Sequence, residues 1–159
     1  MRKGSLLDIF LIPVILFVFG ISIIVASLIL GNMSSLSIFS GSTGTSIYNN
    51  ANTAVGTFNW TFIFVAVVLG LGSIAMGFMY PSHPILFVFG VIILATSMIV
   101  TPQISNAFGT FASNSEISST ASNFNMITWF MSNSLPIFMT VIGGLMLIAL
   151  FSKIRQGNA

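Results

Sequence analysis

Charged side chains are almost missing from this chain of 159 residues, since aspartate, glutamate, lysine and arginine together make up only 4% of it. In a soluble globular domain about a quarter of the residues belong to these four types. The chain is also 55% hydrophobic, with a mean hydropathy of +1.06. This composition argues against a water-soluble fold and indicates that a lipid bilayer is the solvent of the protein.

Cysteine is absent, so the chain has no disulfide framework, no thiolate nucleophile and no thiolate metal site. The groups left for acid–base chemistry are Asp8, Glu116 and the single histidine, His83. One imidazole without a nearby carboxylate or thiol is an incomplete set of metal ligands. An enzyme in a membrane still needs such groups close together. The sequence therefore predicts no enzyme, no cofactor and no metal site.

Basic residues are too few to form a surface for nucleic acid. The formal net charge is +2, and the lysines and arginines are Arg2, Lys3, Lys153 and Arg155, at the two ends of the chain. Binding to a phosphate backbone depends on clustered lysine and arginine side chains. We therefore expect no specific binding of nucleic acid. The basic ends indicate contact with lipid headgroups instead.

Four apolar stretches are long enough to cross a hydrocarbon layer of about 30 Å. We predict spans at about residues 6–30, 60–80, 84–101 and 126–151 of a single membrane domain, 1–159. Short basic segments stay on the cytoplasmic side of a membrane. Both termini are therefore expected in one compartment, on the cytoplasmic side, which requires an even number of crossings. The predicted fold class is all-α, an integral membrane protein with four transmembrane helices.

Two polar segments, residues 32–58 and 102–125, separate these spans on the side opposite both termini. They are rich in Ser, Thr, Asn and Gly and lack the apolar periodicity of a packed domain. We predict a loop at each, the first either bare or with a short helix on the membrane surface, the second with short helical pieces. Asn32 and Asn59, at the borders of the first loop, each begin an N-glycosylation pattern.

Three prolines mark places where the spans bend or end. Pro13 is expected to bend the first helix, which continues past it. The residue before a proline disfavours helical geometry, so the third span is predicted to end at Thr101-Pro102. The last apolar stretch is interrupted before Pro136, and two structures fit: one kinked helix, or a surface helix around Trp129 followed by a new helix. We favour the kinked continuous helix.

Aromatic and charged residues near the span ends are predicted interface anchors, because amphipathic rings and basic side chains prefer the boundary between membrane and water. Asp8 is interpreted as a cap of the first helix, whose N-terminus favours a negative charge. The alternative is that Asp8 is a proton or cation ligand. The predicted anchors are Arg2, Lys3, Asp8, Trp60, Tyr80, Trp129, Lys153 and Arg155.

Small residues within the spans predict places where two helices approach each other closely. Positions 66 and 70, and positions 73 and 77, form two small-xxx-small pairs in the second span, which we place on different faces of the helix. Packing within one chain is favoured over a dedicated dimer contact for these residues. The predicted packing residues are Ala66, Gly70, Ser73, Gly77, Gly143 and Gly144.

Three segments of the chain resemble a known group of proteins: 82–88 (SHPILFV), 111–121 (FASNSEISSTA) and 135–153, which begins LPIF. In these segments and in overall layout the chain resembles uncharacterised small four-span membrane proteins of tailless, membrane-containing viruses of bacteria and archaea and of related mobile elements. The resemblance implies a structural protein of the lipid layer beneath an icosahedral capsid, present in multiple copies, with loops that contact capsid or vertex proteins. It assigns no functional residue.

Two other functions fit the same residues. An oligomer would enclose a pore, as in a phage holin, with a lining of uncharged groups such as Asn133, Ser134 and Thr140. The chain would otherwise be an accessory subunit of a larger membrane complex. Ion pathways usually hold ionisable residues within the spans, and these spans hold none beyond Asp8 at the entry of the first. A gated carrier is therefore disfavoured.

The two interpretations of Asp8 predict different results for Asp8→Asn. As a cap, Asp8 should contribute little, so the substitution should lower the free energy of unfolding by about 1 kcal/mol or less. Thermal unfolding in detergent measures this change. A proton or cation flux across liposomes that disappears in the variant would show instead that Asp8 is an ion ligand.

Overall fold

Helices make up nearly all of the chain that the structure describes. A computed structural model describes residues 8–37, 41–79 and 84–157, and these ranges contain no strand. A π-helical turn, Phe130–Ser134, joins the last two helices. The helices are α1 (Asp8–Met33), α2 (Ser42–Met79), α3 (Pro84–Ala112), α4 (Ser118–Asn123), α5 (Asn125–Trp129) and α6 (Leu135–Gly157). The predicted all-α fold class is confirmed.

Within the described residues, four helical segments are long and apolar enough to cross a membrane. Their apolar side chains largely face outward: Phe64, Ile99 and Ile148 expose 69%, 70% and 65% of their surface. A soluble monomer rarely leaves a large apolar surface uncovered. The chain is therefore an integral membrane protein with four spanning helices. The segments are Leu11–Met33, Ser42–Met79, Ile85–Ala112 and Asn125–Arg155.

The last span, formed by α5, the π turn and α6, is the centre of the bundle. It packs against both α2 and α3, while α1 packs mainly against α2 and α3. In its most apolar window 39% of the residues are buried, against 17% in α3. α2 runs parallel to the last span, because Asn59 meets Asn125 at one end and Phe78 meets Lys153 at the other.

Phenylalanine rings fill the core where α1, α2, α3 and the π turn meet. The rings of Phe19 and Phe62 are stacked with their centroids 5.9 Å apart, and Phe62 meets Phe130 edge-on at the same distance. Phe108 packs edge-on against Phe17 at 6.2 Å. Such pairs add about 1 kcal/mol each to the free energy gained by burying the rings. This cluster attaches α1 to the other three spans.

The first predicted loop, 32–58, is mostly helix. α2 begins at Ser42, and residues 42–58 extend the spanning helix by about 25 Å. The Ser, Thr, Asn and Gly content of this stretch is typical of loops. In the structure, however, the hydroxyl of Thr57 donates to the Thr53 carbonyl one turn earlier in the helix, and that of Thr45 donates to the carbonyl of Gly41, directly before the first helical residue. These bonds occupy side chains that otherwise compete with helix formation.

The second predicted loop, 102–125, is also shorter, because α3 continues through Pro102 to Ala112. Proline removes one backbone hydrogen bond, and membrane helices tolerate this loss where neighbouring groups compensate. The residues after Pro102 are held by packing, since Ser105, Phe108 and Ala112 are all buried. The segment that remains outside the spans is 113–124, which contains α4.

The small residues of α2 form one line that faces α6, so their predicted placement on two faces is wrong. Ala66, Gly70, Ser73 and Gly77 are all buried. Seven residues make nearly two helical turns, so positions 66 and 73 point the same way. A Cβ atom at Gly70 would lie only 2.8 Å from the Phe138 ring. Glycine at this position therefore lets α2 and α6 pack closely.

Of the two adjacent glycines in α6, only Gly143 is a contact point. A Cβ atom there would lie 2.5 Å from Leu94 Cδ1, and one at Gly90 would lie 2.6 Å from Leu147 Cδ2. Because the α3 numbers fall as the α6 numbers rise, these two helices are antiparallel. Gly144 has nothing within 4 Å of the position of a Cβ atom, so its predicted close contact is wrong.

Gly70→Ala is expected to destabilise the bundle relative to Gly72→Ala. Both changes replace a glycine inside α2 and gain about 1 kcal/mol of helix propensity. At Gly70 the new methyl group must displace Phe138 and Ile142, and such overpacking costs about 1–3 kcal/mol. Gly72 faces open space. The difference between the two thermal unfolding midpoints in detergent measures the clash, and equal midpoints would contradict this packing of α2 on α6.

Candidate functional site, a polar seam between α3 and the last span

The polar seam is a line of three buried hydroxyl side chains, Ser97, Thr101 and Ser105, on α3. They expose 3%, 1% and 3% of their surface. Their spacing of four residues places them on successive turns of one helix face. Among the described residues only Ser73 is a further buried polar side chain, and its hydroxyl donates to the Leu69 carbonyl of its own helix. The seam is therefore the main polar feature of the core.

Pro136 explains why the last span contains a π turn. In an α-helix the N–H of residue 136 would donate to the Ser132 carbonyl, but proline has no N–H and its ring crowds that carbonyl. The helix widens instead, and the Leu135 N–H donates to the Phe130 carbonyl, five residues back. The last span is one continuous helix from Asn125. The favoured continuous helix is therefore correct, and its interruption takes the form of a π turn.

Ser105 supplies hydrogen bonds that the π turn lacks. The π register and the proline leave the Met131 and Ser132 carbonyls without their usual backbone donors. Ser105 Oγ lies 2.7 Å from both carbonyl oxygens. A hydroxyl carries one proton, so the two carbonyls share it. α3 thereby satisfies backbone groups of a neighbouring helix at a depth where water is scarce.

The other two hydroxyls of the seam have no hydrogen-bond partner. Ser97 Oγ and Thr101 Oγ1 are both buried and unpaired. Ser97 also lines a cavity of about 10 Å³ between α3 and α6, beside Gly90 and Gly143. A buried hydroxyl without a partner costs about 1–3 kcal/mol. The seam therefore holds unused hydrogen-bonding capacity inside the bundle.

The chemistry of the polar seam is hydrogen bonding. Its hydroxyl and carbonyl groups donate or accept hydrogen bonds and carry no charge. Within residues 8–37, 41–79 and 84–157, no three His, Cys, Asp or Glu side chains come together as ligands for a metal ion. The seam is suited to joining helices and to holding a small hydrogen-bonding molecule.

Two polar contacts at opposite ends hold α2 to the last span. Asn59 Nδ2 donates to Asn125 Oδ1, and Asn59 Oδ1 accepts the Ile127 N–H, each at 3.3 Å. At the other end Lys153 Nζ donates to the Phe78 carbonyl at 2.7 Å. Lys153 therefore caps the C-terminus of α2, where carbonyls lack donors and a positive charge is favoured. Because both polar atoms of the Asn59 side chain are engaged, this contact competes with modification at its glycosylation pattern.

The predicted interface anchors that the structure describes lie at both ends of the bundle. Trp60 and Trp129 expose 68% and 62% of their surface. The contact between Asn59 and Asn125 brings these two rings to a similar height, as expected for an aromatic belt. Arg155 is exposed at the opposite end. The anchors Arg2, Lys3 and Tyr80, the side chain of Asp8, and His83 lie outside the described part of the chain.

The polar seam is absent from the features predicted from the sequence, although the sequence carries a signal for it. The predicted polar candidates for a lining are Asn133, Ser134 and Thr140. In the structure, Asn133 donates to the Trp129 carbonyl and Thr140 donates to the Pro136 carbonyl, both within the last span. The missed signal is the regular spacing of hydroxyl residues at positions 97, 101 and 105. The predicted end of the third span at Thr101-Pro102 assigned positions 97 and 101 to a span and position 105 to a loop, so the three hydroxyls did not stand out as one helix face.

Known proteins give no independent guide to the role of the seam. No protein-family model, no curated protein and no solved structure matches the chain.

Ser105→Ala is expected to lower the free energy of unfolding by about 1–3 kcal/mol, because it leaves two buried carbonyls without a donor. Unfolding in detergent micelles measures the change. Ser22→Ala is the matched control, since the Ser22 hydroxyl is exposed and donates to the Val18 carbonyl of its own helix. That control should change stability by less than about 0.5 kcal/mol.

Pro136→Ala tests the cause of the Ser105 effect. Alanine restores the N–H that proline removes, so the last span can satisfy its own carbonyls. The destabilisation by Ser105→Ala should therefore shrink in the Pro136→Ala background. The same destabilisation in both backgrounds would show that Ser105 does not act through the proline-freed carbonyls.

Proposed function

We propose that the chain is an architectural membrane protein, which acts by packing against lipid and neighbouring proteins. The observation that carries this proposal is the α2 extension, residues 42–58, a polar helix that continues a spanning helix without interruption. Because the helix is continuous, the extension is held at a defined position relative to the span. A protein that binds the extension would be held at a defined position relative to the membrane. The protein would thus fix the distance between a bilayer and an adjacent protein layer.

The α2 extension has the surface of a contact element. It contains no charged residue, and most of its side chains are exposed. Its Ser, Thr, Asn and Gly residues are weak helix formers, each about 0.5–1 kcal/mol less favourable than alanine. An isolated helix of this length is marginal in water. Packing against partners would stabilise it, and the lack of charge lets identical copies approach without repulsion.

The spanning surface and the basic ends suit a protein held permanently in lipid. No charged residue occurs between Asp8 and Glu116, a stretch that includes the whole of α2 and α3. Lys153 and Arg155 follow the last apolar stretch, near the C-terminal end of α6. Basic residues near an anionic headgroup layer contribute about 1 kcal/mol each to membrane attachment. These features support a structural role in the bilayer.

The setting we propose is the internal membrane of a tailless virus, with multiple copies of the chain beneath an icosahedral capsid. The support is the resemblance of segments 82–88, 111–121 and 135–153 to small four-span proteins of such viruses. In this proposal both termini face the virion interior. The α2 extension and the segment 113–124 face capsid or vertex proteins on the other side.

Reconstitution of labelled protein into liposomes tests the architectural function. If the extensions pack against one another, energy transfer between labelled copies should exceed the value for random mixing while an entrapped dye is retained. Dye release that rises with protein density would indicate a holin-like pore instead. Random energy transfer without release would indicate a subunit that needs other partners.

The double variant Asn50→Lys/Asn52→Lys sharpens this experiment, since both residues are exposed on the extension. Its added charges should reduce energy transfer at low salt. Raising the ionic strength to 1 M shortens the screening length to about 3 Å and should restore the transfer. Unchanged energy transfer in the variant would contradict a role of the extension in contacts between copies.

A further inference from the structure

We propose that two copies of the chain pair within the membrane through α3, joined by hydrogen bonds between their Gln103 side chains. Gln103 is exposed on α3, and among the described residues its carboxamide has no hydrogen-bond partner. A carboxamide carries two N–H donors and one acceptor oxygen. The inference rests on the proposed architectural function, in which multiple copies share one membrane, and it names the partner and the surface of that contact.

Gln103 lies on the hydrocarbon side of the aromatic belt. The Ser105 hydroxyl meets the carbonyls of residues 131 and 132 in the antiparallel last span. Trp129 lies two to three residues from this contact toward the belt, and Gln103 lies two residues from it in the other direction. At 1.5 Å per residue the two differ in height by about 7 Å. Helical side chains tilt toward the N-terminus of their helix, which for α3 is the end opposite the belt. The amide of Gln103 therefore points away from the nearest headgroups.

Two other polar side chains on the exposed surface of the spans are satisfied within their own helices. Ser22 donates to the Val18 carbonyl at 2.7 Å, and Thr96 donates to the Ile92 carbonyl at 2.8 Å. The amide of Gln103 has no such bond. A polar group without a partner is unfavourable in hydrocarbon, and lipid tails offer neither donors nor acceptors. Its partner therefore has to come from another protein surface within the bilayer.

A second copy of the chain meets this requirement. A copy inserted in the same direction carries its own Gln103 at the same depth. Each amide can donate an N–H to the carbonyl oxygen of the other, so one symmetric contact satisfies both. Amide side chains join membrane helices in this way. α3 contains no charged residue, so two copies of it approach without repulsion.

α3 has a free surface on which such a pair can form. In its most apolar window only 17% of the residues are buried, against 39% in the last span. Gln103 belongs to a stripe of exposed residues whose spacing alternates between four and three, the pattern of a face that packs on another helix. The stripe is about 27 Å long. Its members are Ile92, Thr96, Ile99, Gln103, Asn106 and Thr110.

Energy transfer between labelled copies in liposomes, followed as lipid is added, measures the strength of the pairing. Gln103→Leu should weaken association roughly tenfold, because two hydrogen bonds between helices are lost. Thr96→Val is the matched control on the same stripe, since the Thr96 hydroxyl bonds within its own helix, and it should leave association unchanged. Association that is unchanged or stronger in Gln103→Leu, or an equal loss in Thr96→Val, would overturn the proposal.

Disulfide cross-linking in the same liposomes locates the contact, because the chain has no cysteine of its own. Ile99→Cys, one turn from Gln103 on the stripe, should form a disulfide between copies. Phe64→Cys on α2 is the control, since Phe64 and Ile99 are equally exposed, at 69% and 70%, and it should stay reduced. Cross-linking at position 64 and not at 99 would overturn the pairing through α3 and leave the architectural function standing. Random mixing of the unmodified protein would contradict both.

Discussion

In a hydrocarbon layer every backbone N–H and C=O group must find its hydrogen-bond partner within the protein. This constraint explains the form of the molecule. It favours long uninterrupted helices. A proline within a span lacks the backbone N–H, so it leaves a carbonyl that needs another donor. Pro136 removes a backbone donor from the last span, and the helix forms a π turn before it. The hydroxyl of Ser105 on α3 donates to the Met131 and Ser132 carbonyls of that turn. The most specific contact between two spans thus follows from one missing proton.

The same constraint separates the inside of the bundle from its outside. Apolar side chains cover the lipid-facing surface, so burial of apolar area contributes little to association of the spans within the bilayer. Close packing at Gly70 and Gly143, rings that interlock around Phe62, and a few buried hydroxyls take over this role. α2 and α3 contain no charged group. These two helices can therefore remain within the bilayer without the cost of burying a charge in hydrocarbon.

The sequence predicted the four spans and the all-α class well, because apolar runs of about 20 residues have few other structural solutions. It failed where local preference and packing disagree. Thr101-Pro102 has the local signature of a helix end, yet burial of Phe108 and Ala112 holds α3 beyond it. The stretch after Ser42 has the composition of a loop, yet side-chain hydroxyls bond back within the helix. The first of these errors hid the seam, since its three hydroxyls lie on either side of Pro102.

Accessibility of single cysteines tests the central claim most directly, because the chain has no cysteine of its own. Three sites serve: Thr43 on the α2 extension, Ile99 on the exposed face of α3, and Ser152 near the C-terminal end of α6. In oriented vesicles a membrane-impermeant maleimide should label Thr43→Cys from one side, Ser152→Cys only from the other, and Ile99→Cys only after detergent is added. Labelling of Ile99→Cys in the intact membrane, or of both other sites from the same side, would contradict a bundle that spans the bilayer.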